Sequence, residues 1–263
     1  MPITYEKHNH VGVLTLSRPE ARNAWGQDFY DGFVSYFAEM EEDDDVHAVV
    51  LTGDDKGGAF SAGANLKDPK THSIDSTAAF IRHRLPSRHK NPFTILGQFP
   101  KPVIAGVNGY AIGIGCIVTY CCDLIVASAE ARFIMAFVRV GLVPDLGGAW
   151  QLTQLVGQHK AREWMMLGDV VTAADAERFG VVNRVVETDE VLPAARTLAT
   201  QLAAGPGQSL ALMKGMVSRY GAMSLQDALV DEAEAQAIAS QTEDFQEGVK
   251  AFQEKRPPVF KGN

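Results

Sequence analysis

The chain holds little cysteine, and the little it has sits together: Cys116, Cys121 and Cys122 share one apolar stretch. Three neighbouring thiols lack the spread of a disulfide framework, which points to a reducing, cytoplasmic setting. No histidine or second cysteine pair stands at ligand spacing, so no metal is expected. Lys and Arg form no cluster and the net charge is −8, which argues against a nucleic-acid footprint. Long uninterrupted apolar runs are absent as well. The most apolar stretch, Val103 to Tyr120, is broken by Asn108 and four glycines, and reads as buried strand and turn rather than a membrane span. The opening MPITYEKHNHVGVLTL has no basic segment leading into an apolar one, so no signal peptide is expected.

What is present is an ordinary globular composition: 263 residues, 46% hydrophobic and 21% charged. That length accommodates one large domain with an appendage. Val11–Leu16, Ala48–Thr52, Val103–Val107, Leu124–Ala127 and Gly180–Val186 read as strands. Phe29–Met40 has helical spacing and breaks into EEDDD, an acidic run that reads as a solvated loop rather than a metal site. Ile114–Cys122 reads as a buried helix. Strands alternating with helices make an α/β protein. Residues 68–98 are polar and basic, then apolar, suggesting a loop and helix over a pocket. Beyond AAGPGQS the composition turns to Ala, Gln, Glu and Met without strand signals. The expected organisation is a core over 1–202 and a helical oligomerisation region over 203–263.

Two glycine-rich loops stand out, GGAFSAGANLK (57–67) and NGYAIGIGC (108–116). Neither is a nucleotide fingerprint. A G-x-G-x-x-G frame starting at Gly113 ends on Val118, and neither loop closes in Gly-Lys-Ser/Thr. Each leads from a strand through small residues toward a helix start, where backbone N–H groups are unpaired and partly positive. Two such turns facing each other would make an oxyanion hole. Alternatively, the small residues only permit tight packing. An acidic chain must also hold any phosphate-bearing ligand with locally placed cations.

Taken in order, RPEARNAW, AFSAGANLK, KPVIAGVNGYAIGIGC, CDLIVAS, GLVPDLGG and FGVVNRVV resemble the crotonase superfamily, the enoyl-CoA hydratase/isomerase family. The resemblance runs from about Val11 to AFQEKRPPVFKG. It implies a ββα spiral core with a C-terminal helical trimerisation region, assembling as a homotrimer or hexamer. It also implies an acyl-CoA thioester as substrate, a place in fatty acid metabolism, and no separate cofactor. By position, the backbone N–H groups of Ala64 and Ile114 are the oxyanion donors; family members usually carry glycine at the second place. CoA contacts fall on Arg22, Ala24, Ala62 and, from a neighbouring subunit, Phe252 and Lys255.

The same resemblance exposes a departure. Hydratases of this family carry two glutamates at positions that here hold Ile117 and Phe137. Adding water across a double bond needs an acid and a base, and hydrocarbon supplies neither. Ile117 and Phe137 are instead expected to make the acyl pocket apolar. Attention then shifts to Asp145 in VGLVPDLGG, where some family isomerases place their working carboxylate. Among Leu142, Val143, Leu146 and the two hydrocarbons, desolvation is expected to raise its pKa toward neutrality. The alternative is a cap for a helix starting near Leu146.

Three functions remain open on this reading: an isomerase acting on enoyl- or ring-type acyl-CoA through Asp145, a hydratase or lyase with an acid recruited from 68–91, and a non-catalytic acyl-CoA-binding protein. Hydrolytic dehalogenation is disfavoured, since Phe137 cannot donate a hydrogen bond, although His83 or His89 would supply a histidine. Tyr110 and Trp150 are read as core aromatics.

Overall fold

A computed structural model describes residues 2–68 and 91–262. His83 and His89, and most of the expected loop over the pocket, lie outside the described residues. The chain opens as a hairpin, β1 (Ile3–His8) and β2 (Val11–Leu16), turned at Asn9 and His10, both in left-handed conformation. Helix α1 (Gln27–Glu42) follows, then β3 (Ala48–Gly53) and β4 (Ala59–Ser61). After α2 (Pro92–Gln98) the same step recurs as β5 (Val103–Val107), β6 (Tyr110–Ile112) and α3 (Ile114–Tyr120). It recurs again as β7 (Leu124–Ser128), β8 (Arg132–Ile134) and α4 (Gly148–Leu167). A short β9 (Val171–Thr172), α5 (Ala173–Arg178), β10 (Arg184–Val186) and α6 (Val191–Ala203) complete the core. Helices α7 (Gly207–Tyr220), α8 (Leu225–Ala239) and α9 (Glu243–Glu254) follow.

Each ββ step therefore gives one strand to each of two sheets. The larger runs β1-β2-β3-β5-β7-β10 and the smaller β4-β6-β8-β9. In the larger sheet pairing is parallel from β2 through β3, β5 and β7 to β10 and antiparallel at the β1 edge; in the smaller sheet β4, β6 and β8 pair parallel and β9 joins β8 antiparallel. Interior parallel strands are covered on both faces, which is why β3 is buried along its whole length. Val49 and Leu51 face the aromatic side of the core with Phe29, Phe33 and Phe37 of α1. Ala48 and Val50 face the other side with Ala195, Leu198 and Ala199 of α6. Period-2 alternation within an all-apolar strand thus sends each side chain to a different helix.

Four expectations shift. The Gly180–Val186 run is strand only over its last three residues, and α3 ends at Tyr120, two residues before Cys122. Glu41 and Glu42 belong to α1, and of the acidic run only the aspartates form the loop, where Asp43 pairs with Lys7 at 2.7 Å. Tyr110 and Trp150 are not core aromatics: they are 44% and 46% exposed. No helix of the described residues is long and apolar enough to cross a membrane.

Candidate active site

The site begins at the RPEARNAW turn. Pro19–Ala21 form a short 3-10 turn, after which Arg22 and Asn23 both adopt left-handed backbone (φ 51° and 56°). Asn23 is fully buried and explains the shape. Its amide donates to the Ala59 carbonyl at 2.8 Å, and its Oδ1 accepts from the Arg18 N–H at 2.8 Å. Beside it, Ala62 donates to the Arg22 carbonyl at 2.8 Å, and Ser61 Oγ donates to the Asn23 carbonyl at 2.8 Å. Arg22, Ala24 and Ala62 are thereby gathered on adjoining backbone, with the Arg22 side chain exposed and Ala24 buried. Asn23 and Ser61 went unnoticed in the sequence reading. The cue was an asparagine, which tolerates left-handed backbone, opposite a serine in a glycine-rich loop.

Ala64 is held by Trp25. The Trp25 N–H donates to Gly63 O at 2.7 Å, and Trp25 O accepts from Asn65 N–H at 2.8 Å. In a parallel bridge with both bonds on one partner, the facing residue turns its own N–H away. That residue is Ala64. Its N–H therefore points out of the Trp25 pairing, and the residue is exposed.

Ile114 opens α3, after Gly113 in a left-handed conformation (φ 54°). The first N–H groups of a helix have no partner within it, and Ile114 is the first helical residue. The two loops are in contact through glycines. A Cβ on Gly63 would lie 2.7 Å from the Ile112 carbonyl oxygen, and one on Gly115 would lie 2.7 Å from the Ser61 carbonyl oxygen. Only the absence of side chains lets these strands approach so closely. Ile114 as a residue is 5% exposed, so it sits within the core that backs the two loops.

Helix α3 also supports the segment that carries Asp145. The Phe137 ring tip lies 3.8 Å from where a Gly113 Cβ would be, and a Gly148 Cβ would lie 2.5 Å from Ile117 Cγ1. Between these anchors, Leu142 N–H bonds Phe137 O at 2.9 Å and Gly148 N–H bonds Asp145 O at 2.9 Å. The helix starts at Gly148, with Gly147 (φ 87°) as its cap residue. Asp145 therefore stands before the helix and outside its cap position. Its neighbour Leu146 is held at φ 53°, a strained state for a branched side chain.

The apolar surroundings expected for Asp145 divide differently from the sequence reading. Ile117 is fully buried beneath Gly148, whereas Leu142 and Val143 are 57% and 78% exposed on this single chain. Cys116 in the same helix is no nucleophile, because burial pushes its thiol up to about 12. The thiol donates to the Ala111 carbonyl at 2.8 Å. Phe252 and Lys255 lie far along the chain at the end of α9, both exposed. Among the described residues no group of three or more His, Cys, Asp or Glu is arranged to hold a metal ion.

Comparison with known proteins shows the family. The enoyl-CoA hydratase/isomerase family model matches residues 6–263. The chain is 35% identical over 257 residues to a mitochondrial enoyl-CoA hydratase of Pongo abelii, covering 97% of this chain and 85% of that one. It is 34% identical over 254 residues to the 1,2-epoxyphenylacetyl-CoA isomerase of Escherichia coli K12, covering 96% and 95%. An enoyl-CoA hydratase subunit I from Geobacillus kaustophilus HTA426 superposes with a TM-score of 0.92 at 33% identity, covering 100% and 99%. The chain is an α/β protein of the crotonase superfamily, a member of the enoyl-CoA hydratase/isomerase family.

Proposed function

We propose that the protein is an acyl-CoA isomerase in which Asp145 moves a proton while the N–H groups of Ala64 and Ile114 hold the thioester oxygen. The observation that carries this reading is the double anchoring of the Asp145 segment on α3. One helix presents the Ile114 N–H at its start and bears both ends of the loop that holds the carboxylate. The strained Leu146 beside Asp145 supports it, since such strain persists where surrounding structure enforces it and concentrates at functional sites.

In a 3-enoyl-CoA the Asp145 carboxylate removes a proton from the carbon next to the thioester. The electron pair moves onto the carbonyl oxygen, where the two N–H donors stabilise it. The same carboxyl group then returns the proton two carbons further on, and the double bond ends conjugated to the thioester. One base suffices and no water is consumed. Phe137, half-buried beside Gly113, offers hydrocarbon where a hydratase places its second carboxylate, which favours an apolar acyl group. Arg22 supplies a local cation for the CoA phosphates in a chain of charge −8. Phe252 and Lys255 would reach the CoA of a neighbouring copy in a trimer or hexamer. Exchange of the acyl proton with deuterated solvent, compared between the native chain and Asp145→Asn, tests the proposal.

Hydration is the second reading, favoured by the Pongo abelii relative, which is named for it. Against it stand Ile117 and Phe137, neither of which can hold a proton.

A further inference from the structure

Residues 256–262 are tied to α9 by several polar contacts. Asp244, 3% exposed, accepts the N–H of Lys261 on Oδ1 at 2.7 Å and that of Gly262 on Oδ2 at 2.9 Å. Glu247 takes both arms of the Arg256 guanidinium at 2.6 and 2.9 Å, and the N–H of Val259 at 2.9 Å. The Arg256 Nε also donates to Glu254 at 2.7 Å. Phe260 covers Gly248. Residues 244, 247, 248 and 251 form one helical face, and the strap 256–262 lies on it. A flanking face carries Phe245 and Phe252, 47% and 86% exposed.

Lys255 sits where the helix turns into this strap. Its backbone is left-handed (φ 54°, ψ 41°), and the following N–H of Arg256 bonds back to Ala251 O at 3.1 Å. Glycine is the residue that takes this position without strain. Lysine there costs backbone energy and contributes a side chain. The fork between Arg256 and Glu247, immediately adjacent, holds the strained turn in place. Glu247 remains charged through any physiological range, because Arg256 and then the Val259 N–H hold its carboxyl down at about 2.

We infer that Glu247 and Arg256 are positioning residues: their fork fixes the turn at Lys255 so that its ammonium is aimed at the phosphates of a CoA moiety. This rests on the reading of Lys255 as a CoA contact given above. The two are separable by experiment.

Dissociation constants for hexanoyl-CoA and for S-hexanoyl-pantetheine, which lacks the nucleotide, are measured by calorimetry for Lys255→Ala, Glu247→Gln, Arg256→Lys and the Lys255→Ala/Glu247→Gln double variant. Arg256→Lys keeps the charge and removes the fork, which covers the case in which Glu247→Gln fails to fold. Each single change is expected to weaken hexanoyl-CoA about 2- to 5-fold, the size of an exposed ionic contact, and to leave the pantetheine ligand unchanged. The double variant is expected to be no weaker than Lys255→Ala alone, because the fork acts through Lys255. Lys255→Gly should bind as poorly as Lys255→Ala yet melt at a higher temperature, since glycine relieves the left-handed strain. Unchanged hexanoyl-CoA affinity in Lys255→Ala overturns the CoA-contact reading and the fork's role with it. Weakening by Lys255→Ala but by neither Glu247→Gln nor Arg256→Lys overturns the fork's role alone. Equal weakening of both ligands by the fork variants shows a merely structural clamp and also overturns it.

Discussion

Gly63 and Ile112 touch through backbone alone: a single added Cβ on Gly63 would stand 2.7 Å from the Ile112 carbonyl oxygen. This contact sets the spacing between Ala64, which follows Gly63, and Ile114, two residues beyond Ile112. Gly63→Ala combines that clash with left-handed backbone (φ 88°), and is expected to cost about 1–3 kcal/mol of stability. It should also lower kcat, because the two N–H groups separate. Gly58→Ala is the control: it is left-handed too (φ 63°), but its Cβ meets nothing within 4 Å. Thermal melts and turnover of the two variants check this, and equal turnover in both would remove Gly63 from the argument.

Asp145→Asn keeps size and polarity but cannot accept a proton at neutral pH. Acyl-proton exchange into deuterated solvent should fall by roughly 10² to 10⁴, the usual worth of a positioned base, with the melting temperature preserved. Undiminished exchange in that variant ends the case for Asp145.

Hydration of crotonyl-CoA should be weak or absent. Each missing acid–base group costs about 10² to 10⁴ in rate, and positions 117 and 137 supply none. Turnover matching a two-glutamate hydratase, followed by loss of the enoyl absorbance, would show that another residue provides both.

The chain should run as a trimer or hexamer. On the isolated chain Val217, Leu225, Leu229, Val230 and Phe252 are all more than half exposed, a large apolar area for a monomer to leave in water. Light scattering at micromolar concentration checks this, and a monodisperse 28.5-kDa species would contradict it.

The strap on α9 should survive acid. Glu247 is lowered from its ordinary 4.5 to about 2, first by Arg256 and then by the Val259 N–H. A depressed carboxyl contributes stability fully above its ordinary value and loses it as pH falls through the folded one. Protection of the Val259 amide from hydrogen exchange, corrected for intrinsic rate, should therefore hold from pH 7 to pH 5 and decline only between about 4.5 and 2. Loss of protection above pH 5 would show that the fork does not hold the strap.

Local pattern was enough for much of this protein. The apolar runs at 11–16, 48–52 and 103–107 became parallel strands because β-branched residues in unbroken runs suit strands covered on both faces. The order of glycine-rich motifs led to the family, since each motif is a backbone requirement written in residue type. That Ile117 and Phe137 are hydrocarbon was equally legible, and hydrocarbon cannot carry a proton.

Tertiary structure alone decided what those residues face. Ile117 and Phe137 looked equivalent in sequence, yet one lies sealed beneath Gly148 and the other only half-buried beside Gly113, because successive turns of one short helix meet different parts of the loop that carries Asp145. Trp150 read as core and is half exposed, since a helix in a single chain does not reveal which side a neighbour will cover. The fork of Arg256 on Glu247 joins residues that sequence spacing brings near but only the reversal of the chain at Lys255 turns face to face. Burial and aim depend on contacts between distant segments, and residue type does not specify those contacts one position at a time.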